Sequence, residues 1–391
     1  MVKGRTLMVI GLGMLGAQTL EYLAVSPEFN RVHDRLVGAD MDGNRGARIV
    51  NLARAEAYDR GLYPNVEFRR VNLRDVDETA EVLKEYEPDL VYQCATLMSW
   101  WVPRLAPPGI AEELSYEAAI GSFVACHIAL LYKLMLALKR AGLKDTIVVN
   151  ASIPDITAPI LARKGLRYAC GIGNIANYAP RLKYILSRKL KVPARELTLY
   201  WYAPHGVLYS GISRTGTTLG YPYYLKVYVG DRDVTEQVDP GMKTMQTIDI
   251  GWKEFLMPTE FEIYNHLIAQ SAYSVIMGIW NDSETMTYAP GPNGLPGGWT
   301  VKVNAEGAKP IIPDGATLDE IVKIEEKGLE LDGVEKIKED GTLVIREKSR
   351  EIIKKHLGLD YKEIRVEEAE ELADKIVSAM KMLSERQKQA L

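Results

Sequence analysis

The sequence has few of the residues that build disulfide frameworks or metal centres. Its 391 residues include three cysteines, which are widely spaced and form no CxxC pair, and five histidines without paired spacing. We therefore predict neither a disulfide scaffold nor a metal site. Because disulfides are rare in reducing compartments, this cysteine usage indicates a cytoplasmic protein.

The sequence also lacks a strong charge of either sign and a long uninterrupted apolar run. Lys and Arg number 48 and Asp and Glu 52, so the formal net charge of −4 predicts no general attraction to nucleic acid or to an anionic membrane. The most apolar stretch, residues 123–138, includes His127 and Lys133 and is too short to span a bilayer. We expect no membrane segment. Abundant Glu and Lys with few Gln indicate a thermophilic protein.

Apolar strands alternate with helical segments through residues 6–150. The predicted strands are Thr6–Ile10, Arg35–Asp40, Val66–Val71, Leu90–Cys94 and Thr146–Asn150. This spacing is typical of βαβ units, which form a parallel sheet with helices on both faces. We predict an α/β, doubly wound Rossmann domain over residues 1–155.

The second half has a different pattern. It alternates less regularly and contains a Gly/Pro-rich segment, residues 285–317, which predicts a long connection or a strand pair. We predict an α+β domain over residues 156–391 that ends in an amphipathic surface helix. The other predicted elements are a helix over 181–191, strands over 197–202 and 225–230, and a long helix over 260–281.

A glycine motif follows the first strand directly. Gly11, Gly13 and Gly16 form G-x-G-x-x-G around Met14 and Leu15, in the strand–turn–helix context where such turns bind a dinucleotide pyrophosphate. Asp40 ends the next strand, where its carboxylate would accept hydrogen bonds from the adenosine ribose. The motif predicts NAD as cofactor, and nearby Arg45 leaves NADP open.

His205 follows an apolar strand and precedes a glycine, in YWYAPHGV. Together with VIGLGMLGAQTLEYLA, LVGADMDGNRGARIVNLARA and GIGNIANYAPRLKYILSRKLKVPARELTLYWYAPHG, it resembles the lactate/malate dehydrogenase superfamily. The resemblance covers roughly residues 5–60, 120–210 and 260–285. The segment over residues 67–95 is closer to saccharopine-dehydrogenase-like and epimerase-like Rossmann proteins. That likeness implies that Asn72 lies near the adenine.

The resemblance assigns roles to further residues. His205 would be the proton donor and acceptor, and Asn177 stands where the family has the carboxylate that orients this histidine. Without that charge we expect a lowered pKa for His205, unless an acid such as Asp155 takes its place. Arg181, one residue from the family's arginine position, is the candidate for a substrate carboxylate. Further assignments are Ala95 and Asn150 to the cofactor, and Trp100, Trp101, Arg104 and Ser152 to the substrate.

Three functions remain open from the sequence. The first is an NAD(P)-dependent oxidoreductase that interconverts a hydroxy and an oxo compound. The second is a dinucleotide-binding sensor or assembly protein that has lost turnover, which Asn177 favours. The third, an epimerase- or reductase-type short-chain enzyme, needs a tyrosine with a lysine four residues later, and none of the 21 tyrosines has one. The resemblance and the apolar run 123–138 also predict a homodimer or homotetramer.

Overall fold

The computed structural model describes residues 4–30, 33–239 and 261–390. The strands of its largest sheet are β1 (Thr6–Ile10), β2 (Arg35–Asp40), β3 (Asn65–Arg70), β4 (Leu90–Gln93), β5 (Ile147–Asn150) and β6 (Cys170–Gly171). All pairs are parallel, in the order β3-β2-β1-β4-β5-β6. The helices that connect them are α1 (Met14–Ala24), α2 (Gly43–Asp59), α3 (Val76–Tyr86), the short α4 (Pro108–Glu112), α5 (Val124–Ala141) and α6 (Pro154–Arg163). The predicted doubly wound sheet is confirmed.

The central strands are buried because helices cover both faces of the sheet. All five residues of β1 and all four of β4 are buried. Their apolar side chains are the near-continuous runs expected of parallel strands that are buried on both faces. Turns between these strands and the following helices therefore meet at one edge of the sheet, the edge of the strand carboxyl ends.

The second half adds three small antiparallel sheets and several helices. After β6 come α7 (Ile175–Leu190), β7 (Leu197–Tyr202), α8 (Ser213–Thr215), β8 (Tyr224–Val229), β9 (Arg232–Asp233) and α9 (Thr235–Val238). Then follow α10 (Phe261–Trp280), β10 (Thr285–Pro290), β11 (Gly298–Asn304), β12 (Gly307–Pro310) and α11 (Leu318–Gly328). The last elements are β13 (Val334–Ile337), β14 (Leu343–Ile345), α12 (Glu347–Leu357), β15 (Glu363–Ile364) and α13 (Ala369–Ala390). The sheets are β7-β8-β9, β10-β11-β12 and β13-β14-β15.

The Gly/Pro-rich segment is more ordered than the sequence suggested. Residues 285–310 form the three strands β10, β11 and β12, so the predicted strand pair is present as β10 and β11, and β12 extends it. Asn304 of β11 pairs with Gly307 of β12, so Ala305 and Glu306 form the tight turn that leads into the third strand. The sequence also did not predict the short elements α6, α11 or α12.

The C-terminal region packs back onto the Rossmann sheet. Helix α13 contacts α5, and one hydrophobic cluster contains Met8 of β1, Leu131 of α5 and Met380 of α13. Arg74 reinforces this contact, since its guanidinium donates to Glu370 at 2.8 Å and to Asp374 at 2.6 Å. The predicted division at residue 155 stays a prediction.

The apolar run 123–138 lies in α5 apart from its first residue, Phe123, which precedes the helix. Within the described residues, the helical stretch Ile120–Ala141 is long and apolar enough to cross a membrane, and 83% of its most apolar window is buried in the protein. Its neighbours are α3 and α13 of the same chain. This packing accounts for the apolar run without a second copy, so the run no longer supports a homo-oligomer.

Candidate active site

A cavity of about 1020 Å³ lies at the carboxyl ends of the parallel strands. Residues at the end of each of the six strands contribute to its wall. They are Gly11 after β1, Asp40 at the end of β2, Asn72 after β3, Ala95 after β4, Ser152 after β5 and Ile172 after β6. The wall also includes His205, so the cavity connects the glycine motif with the histidine.

The three glycines of the motif have different surroundings. Gly11 has a φ of +95°, and a Cβ there would lie 2.5 Å from the backbone nitrogen of Ala95. A Cβ at Gly16 would lie 2.0 Å from the carbonyl oxygen of Gly11. A Cβ at Gly13 would meet no protein atom within 4 Å, although Gly13 lines the cavity. Gly11 and Gly16 thus shape the turn, whereas Gly13 keeps space free on the cavity side, as a closely bound pyrophosphate requires.

Asp40 lines the cavity and also stabilises the glycine turn through hydrogen bonds. It is 7% exposed, its Oδ2 accepts from the backbone N–H of Leu12 at 2.7 Å, and its Oδ1 accepts from that of Asp42 at 2.9 Å. Arg45 donates to the same carboxylate at 3.3 Å and also lines the cavity. The two residues that bear on NAD or NADP preference are therefore in direct contact.

The remaining predicted cofactor residues divide into two groups. Met14, Leu15, Asn72 and Ala95 line the cavity. Asn150 does not contribute to its wall: the side chain is fully buried, accepts from the backbone N–H of Ser152 at 2.9 Å and donates to the carbonyl of Ser152 at 3.1 Å. Asn150 holds the loop after β5, and Ser152, two residues on, reaches the cavity.

His205 has a carboxylate partner that the sequence did not reveal. Its Nδ1 lies 2.6 Å from Oδ1 of Asp332, and Oδ2 of Asp332 accepts from the backbone N–H of Gly206 at 3.1 Å. Asp332 is 1% exposed and ends the 3₁₀ turn Leu329–Asp332, which follows α11. The expectation that this histidine has no charged partner was wrong. The partner is Asp332, and neither Asn177 nor Asp155 takes that place.

The pKa of His205 is also shifted in the direction opposite to the expected one. Burial lowers the pKa of His205, but the charge and hydrogen bond of Asp332, with a further contribution from Asp155, raise it to about 9. The imidazolium is thus the favoured form at neutral pH. The predicted lowering of this pKa was wrong, because it assumed that Asn177 replaced the only carboxylate near the ring. Asn177 is buried and lines the cavity.

Two further buried titratable groups line the same end of the cavity. Burial raises the pKa of Asp155 to about 6, against the charge of His205, and the Asn174 amide donates to its carboxylate. Burial, together with the charge of His205, lowers the pKa of His127 to about 4. The ring of His127 is therefore neutral at pH 7, and its Nδ1 lies 3.2 Å from Oγ of Ser152.

The predicted substrate residues are also divided. Trp100, Trp101, Arg104 and Ser152 line the cavity. Arg181 does not contribute to the wall, and its guanidinium lies over the ring of Tyr178 at 5.5 Å. A shift of one residue turns a side chain by about 100° around a helix, so Arg181 on α7 cannot replace an arginine at position 180.

Sequence reasoning missed Asp332, His127 and the cavity-lining tyrosines Tyr116 and Tyr209. Asp332 lies 127 residues beyond His205, and no local motif connects the two. His127 lies in the apolar run 123–138, and its neighbours in the sequence therefore indicated a core residue. In the described ranges 4–30, 33–239 and 261–390, no group of three His, Cys, Asp or Glu side chains is placed to hold a metal ion.

No protein-family model matches the sequence, and no curated protein matches it. Solved lactate and malate dehydrogenases are similar to the chain in structure. The lactate dehydrogenase of Cryptosporidium parvum, solved with lactic acid and nicotinamide adenine dinucleotide, has a TM-score of 0.57 and 14% identity, over 85% of this chain and 97% of that one. The lactate dehydrogenase MGS-M5 from a Medee basin deep-sea metagenome library has a TM-score of 0.54 and 15% identity, over 84% and 97%. The malate dehydrogenase of Aeropyrum pernix has a TM-score of 0.54 and 15% identity, over 83% and 97%.

At these identities the likeness shows the fold. The chain has the dehydrogenase-like Rossmann fold of lactate and malate dehydrogenases, which confirms the predicted resemblance at that level. What those enzymes bind and convert is a property of each of them.

Proposed function

We propose that this protein is an NAD-dependent oxidoreductase that interconverts a hydroxy and an oxo compound, with NADP as the alternative cofactor. One observation carries the proposal: a single cavity connects the open side of Gly13 with His205, whose ring is hydrogen-bonded to the buried Asp332. The first feature fits a dinucleotide pyrophosphate, and the second fits a proton donor and acceptor. Hydride transfer between a nicotinamide and an alcohol or carbonyl carbon needs both.

The residues of the glycine turn would hold the cofactor. Helix α1 begins directly after Gly13 with no side-chain cap, and a Cβ at Gly13 would meet no protein atom, so the start of this helix suits a pyrophosphate. The Asp40 carboxylate would accept hydrogen bonds from the ribose hydroxyls, in addition to its own contacts with the turn. When bound, NAD accepts or supplies a hydride.

His205 would move the proton. Because Nδ1 is hydrogen-bonded to Asp332, Nε2 is the ring nitrogen available to a substrate oxygen. In the oxo-to-hydroxy direction the imidazolium donates from Nε2, and Asp332 stabilises that charged ring. In the reverse direction Nε2 accepts the hydroxyl proton, while Asp332 holds the ring in the required tautomer.

The sensor hypothesis loses its main argument. It relied on Asn177 in place of a carboxylate beside His205, and also on the missing arginines of the loop after β4. Asp332 supplies the carboxylate, so only the second ground is left. His205 lines the cavity, and the buried Asp332 is hydrogen-bonded to its ring, as a turnover-competent site requires. We therefore prefer the enzyme hypothesis and keep the sensor as an outcome of the test.

The test compares wild type with His205→Gln and, as a matched control, with His33→Gln, since His33 is exposed outside the cavity. Calorimetry measures NAD and NADP binding, and a panel of 2-oxo and 2-hydroxy acids with NADH or NAD measures turnover. We expect His205→Gln alone to lose turnover by orders of magnitude while cofactor binding persists. Intact turnover in His205→Gln would remove the catalytic assignment. Cofactor binding without turnover of any compound would favour the sensor.

A homodimer or homotetramer in the cytoplasm remains part of the proposal. The oligomer is supported by the resemblance alone, because α5 packs against helices of its own chain. Sedimentation at micromolar concentration measures the state directly, and a single species of 43.7 kDa would contradict the proposed association.

A further inference from the structure

His127 lines the cavity but has no part in the proposed proton transfer. It lies in the first turn of α5 and is 2% exposed. Its Nδ1 lies 3.2 Å from Oγ of Ser152, and among the described residues its Nε2 has no hydrogen-bond partner. Buried polar atoms are normally hydrogen-bonded, because leaving one without a partner costs free energy. The ring therefore has one nitrogen left for a ligand.

Ser152 determines which nitrogen of this ring carries the proton. Its hydroxyl donates to the backbone carbonyl of His127 at 3.0 Å, and a hydroxyl has only one proton to donate. Oγ of Ser152 is therefore the acceptor in its contact with Nδ1, so Nδ1 carries the ring proton. Since the ring is neutral at pH 7, its Nε2 has no proton and acts as an acceptor.

Asp155 is a second acceptor on the cavity wall. It is 1% exposed, lines the cavity and accepts from the side-chain amide of Asn174. Burial raises its pKa only to about 6, so its carboxylate is largely ionised at pH 7. We call His127 and Asp155 the acceptor pair. Besides burial, the charge of His205 contributes to the pKa of both residues, so the pair lies near the group that moves the proton.

The arginines on the cavity wall are engaged by the protein itself. Arg45, Arg74 and Arg214 each form an ion pair with a carboxylate. Arg104 donates to the hydroxyl of Tyr209 and lies over its ring. A substrate carboxylate would therefore compete with an existing contact of each arginine. Next to the reacting carbon it would also meet the negative charge of the acceptor pair.

We propose that the substrate carries a hydroxyl group on the carbon next to the reacting one, and that this hydroxyl donates to the acceptor pair. The inference rests on the proposed function, because it places the reacting oxygen at Nε2 of His205. An O–H group satisfies an acceptor, whereas a methyl group leaves it unpaired and a carboxylate adds repulsion. The carboxamide of the cofactor is the other source of such a donor, through its N–H groups, and the test separates the two sources.

The test compares hydroxyacetone, butanone and pyruvate, three ketones in which one methyl group is kept and the other substituent carries a hydroxyl, a methyl or a carboxylate. Protein saturated with NADH receives them in pairs, so that competition gives the ratio of their kcat/KM values. We expect hydroxyacetone to be preferred over butanone by at least about fivefold, the effect of leaving a buried acceptor without a donor. Hydroxyacetone should also be preferred over pyruvate.

Two variants and their matched controls assign these preferences. His127→Phe keeps a ring and removes the acceptor, so it should reduce the preference over butanone by at least about twofold. Asp155→Asn removes the charge, so it should reduce the preference over pyruvate. The controls His33→Phe and Asp319→Asn change exposed residues outside the cavity and should leave both ratios unchanged.

A second arm tests the cofactor as the source of the donor. Calorimetry compares NADH with its reduced 3-acetylpyridine analogue, in which a methyl group replaces the NH2 of the carboxamide. We expect His127→Phe to leave the ratio of the two dissociation constants unchanged. A change in this ratio, with unaltered ketone preferences, would make the carboxamide the donor and overturn the inference about the substrate.

Ring-nitrogen NMR of wild type at pH 7 does not depend on how well either variant folds. Nε2 of His127 should lack a proton, and its signal should shift when hydroxyacetone, but not butanone, is added with NADH. A proton on Nε2, or equal shifts with both ketones, would overturn the inference. Absence of NADH binding would instead contradict the proposed function. If NADH binds and the ketones are converted without a preference for hydroxyacetone, the adjacent hydroxyl is wrong and the oxidoreductase stands.

Discussion

Replacing Asp332 with asparagine tests the centre of the proposed site. The change keeps the size of the side chain and removes the charge that lies 2.6 Å from Nδ1 of His205. A rise in the pKa of His205 from 6.5 to about 9 corresponds to a preference for the imidazolium on the order of 3 kcal/mol. Asp332 is the main cause of that rise, and burial acts against it. In Asp332→Asn, we therefore expect the pKa of His205 to fall below 7.

Ring-nitrogen NMR measures this change directly. The chain has five histidines, so His205→Gln identifies the His205 signal. The pH–rate profile gives a second measurement: reduction of an oxo substrate should persist to about pH 9 in wild type and decline near or below neutral pH in Asp332→Asn. The control is Asp319→Asn, which removes an exposed carboxylate at the start of α11.

Stability should follow the same titration with a definite sign. The folded state raises the pKa of His205, so the ion pair contributes its full stability below about pH 6.5 and loses it as the pH rises through about 9. The difference in unfolding free energy between wild type and Asp332→Asn should therefore shrink over that window. An unchanged His205 titration midpoint in Asp332→Asn would refute the assignment of Asp332 as the cause.

Three further predictions concern the cofactor turn and a buried acid. Gly13→Ala should fold with an unchanged melting temperature and lose NAD affinity in calorimetry, whereas Gly16→Ala should lower the melting temperature, because its Cβ would lie 2.0 Å from a backbone oxygen. Asp40→Ala should weaken NAD binding by about 1–3 kcal/mol, and Arg45→Ala should instead reduce any NADP binding; the reverse pattern would contradict the assigned roles. Burial, with the charges of Asp155 and Asp332, raises the pKa of Glu325 well above its usual range, so its ionisation in the unfolded chain costs stability above about pH 4.5. Glu325→Gln should not show this loss of stability, and denaturant unfolding of both proteins at pH 5 and pH 8 measures the difference.

The Rossmann half was predictable because its signals are local. The strands β1 and β2 are short apolar runs, the glycine turn lies between β1 and α1, and Asp40 ends β2. Each of these features is set by residues that are close in sequence, and hydrophobic periodicity detects such elements well. The same reasoning placed the cofactor residues on the cavity wall, with Asn150 as the exception, because the loop after β5 turns its neighbour Ser152 to the cavity instead.

The end of the cavity at His205 was less predictable, because the residues that contact one another there are far apart in the sequence. The resemblance placed the orienting carboxylate at the position of Asn177, whereas Asp332 lies 127 residues beyond His205 and no local motif connects the two. Tyr116 and Tyr209 were missed for a similar reason. A tyrosine in a π turn leaves no periodic pattern, and its position beside His205 depends on how the loops pack.

Close backbone packing explains how a remote turn can supply the carboxylate. A Cβ at Gly206 would lie 2.4 Å from Cβ of Leu331, and a Cβ at Gly328 would lie 2.0 Å from Cβ of Pro204. The turn that carries Asp332 can therefore approach the His205 segment only because both positions are glycine. Since Asp332 also accepts from the Gly206 N–H, its carboxylate is fixed in orientation as well as in distance. The charge needed beside the histidine thus comes from the C-terminal region, and α7, where Asn177 lies, is free to carry a neutral side chain on the cavity wall.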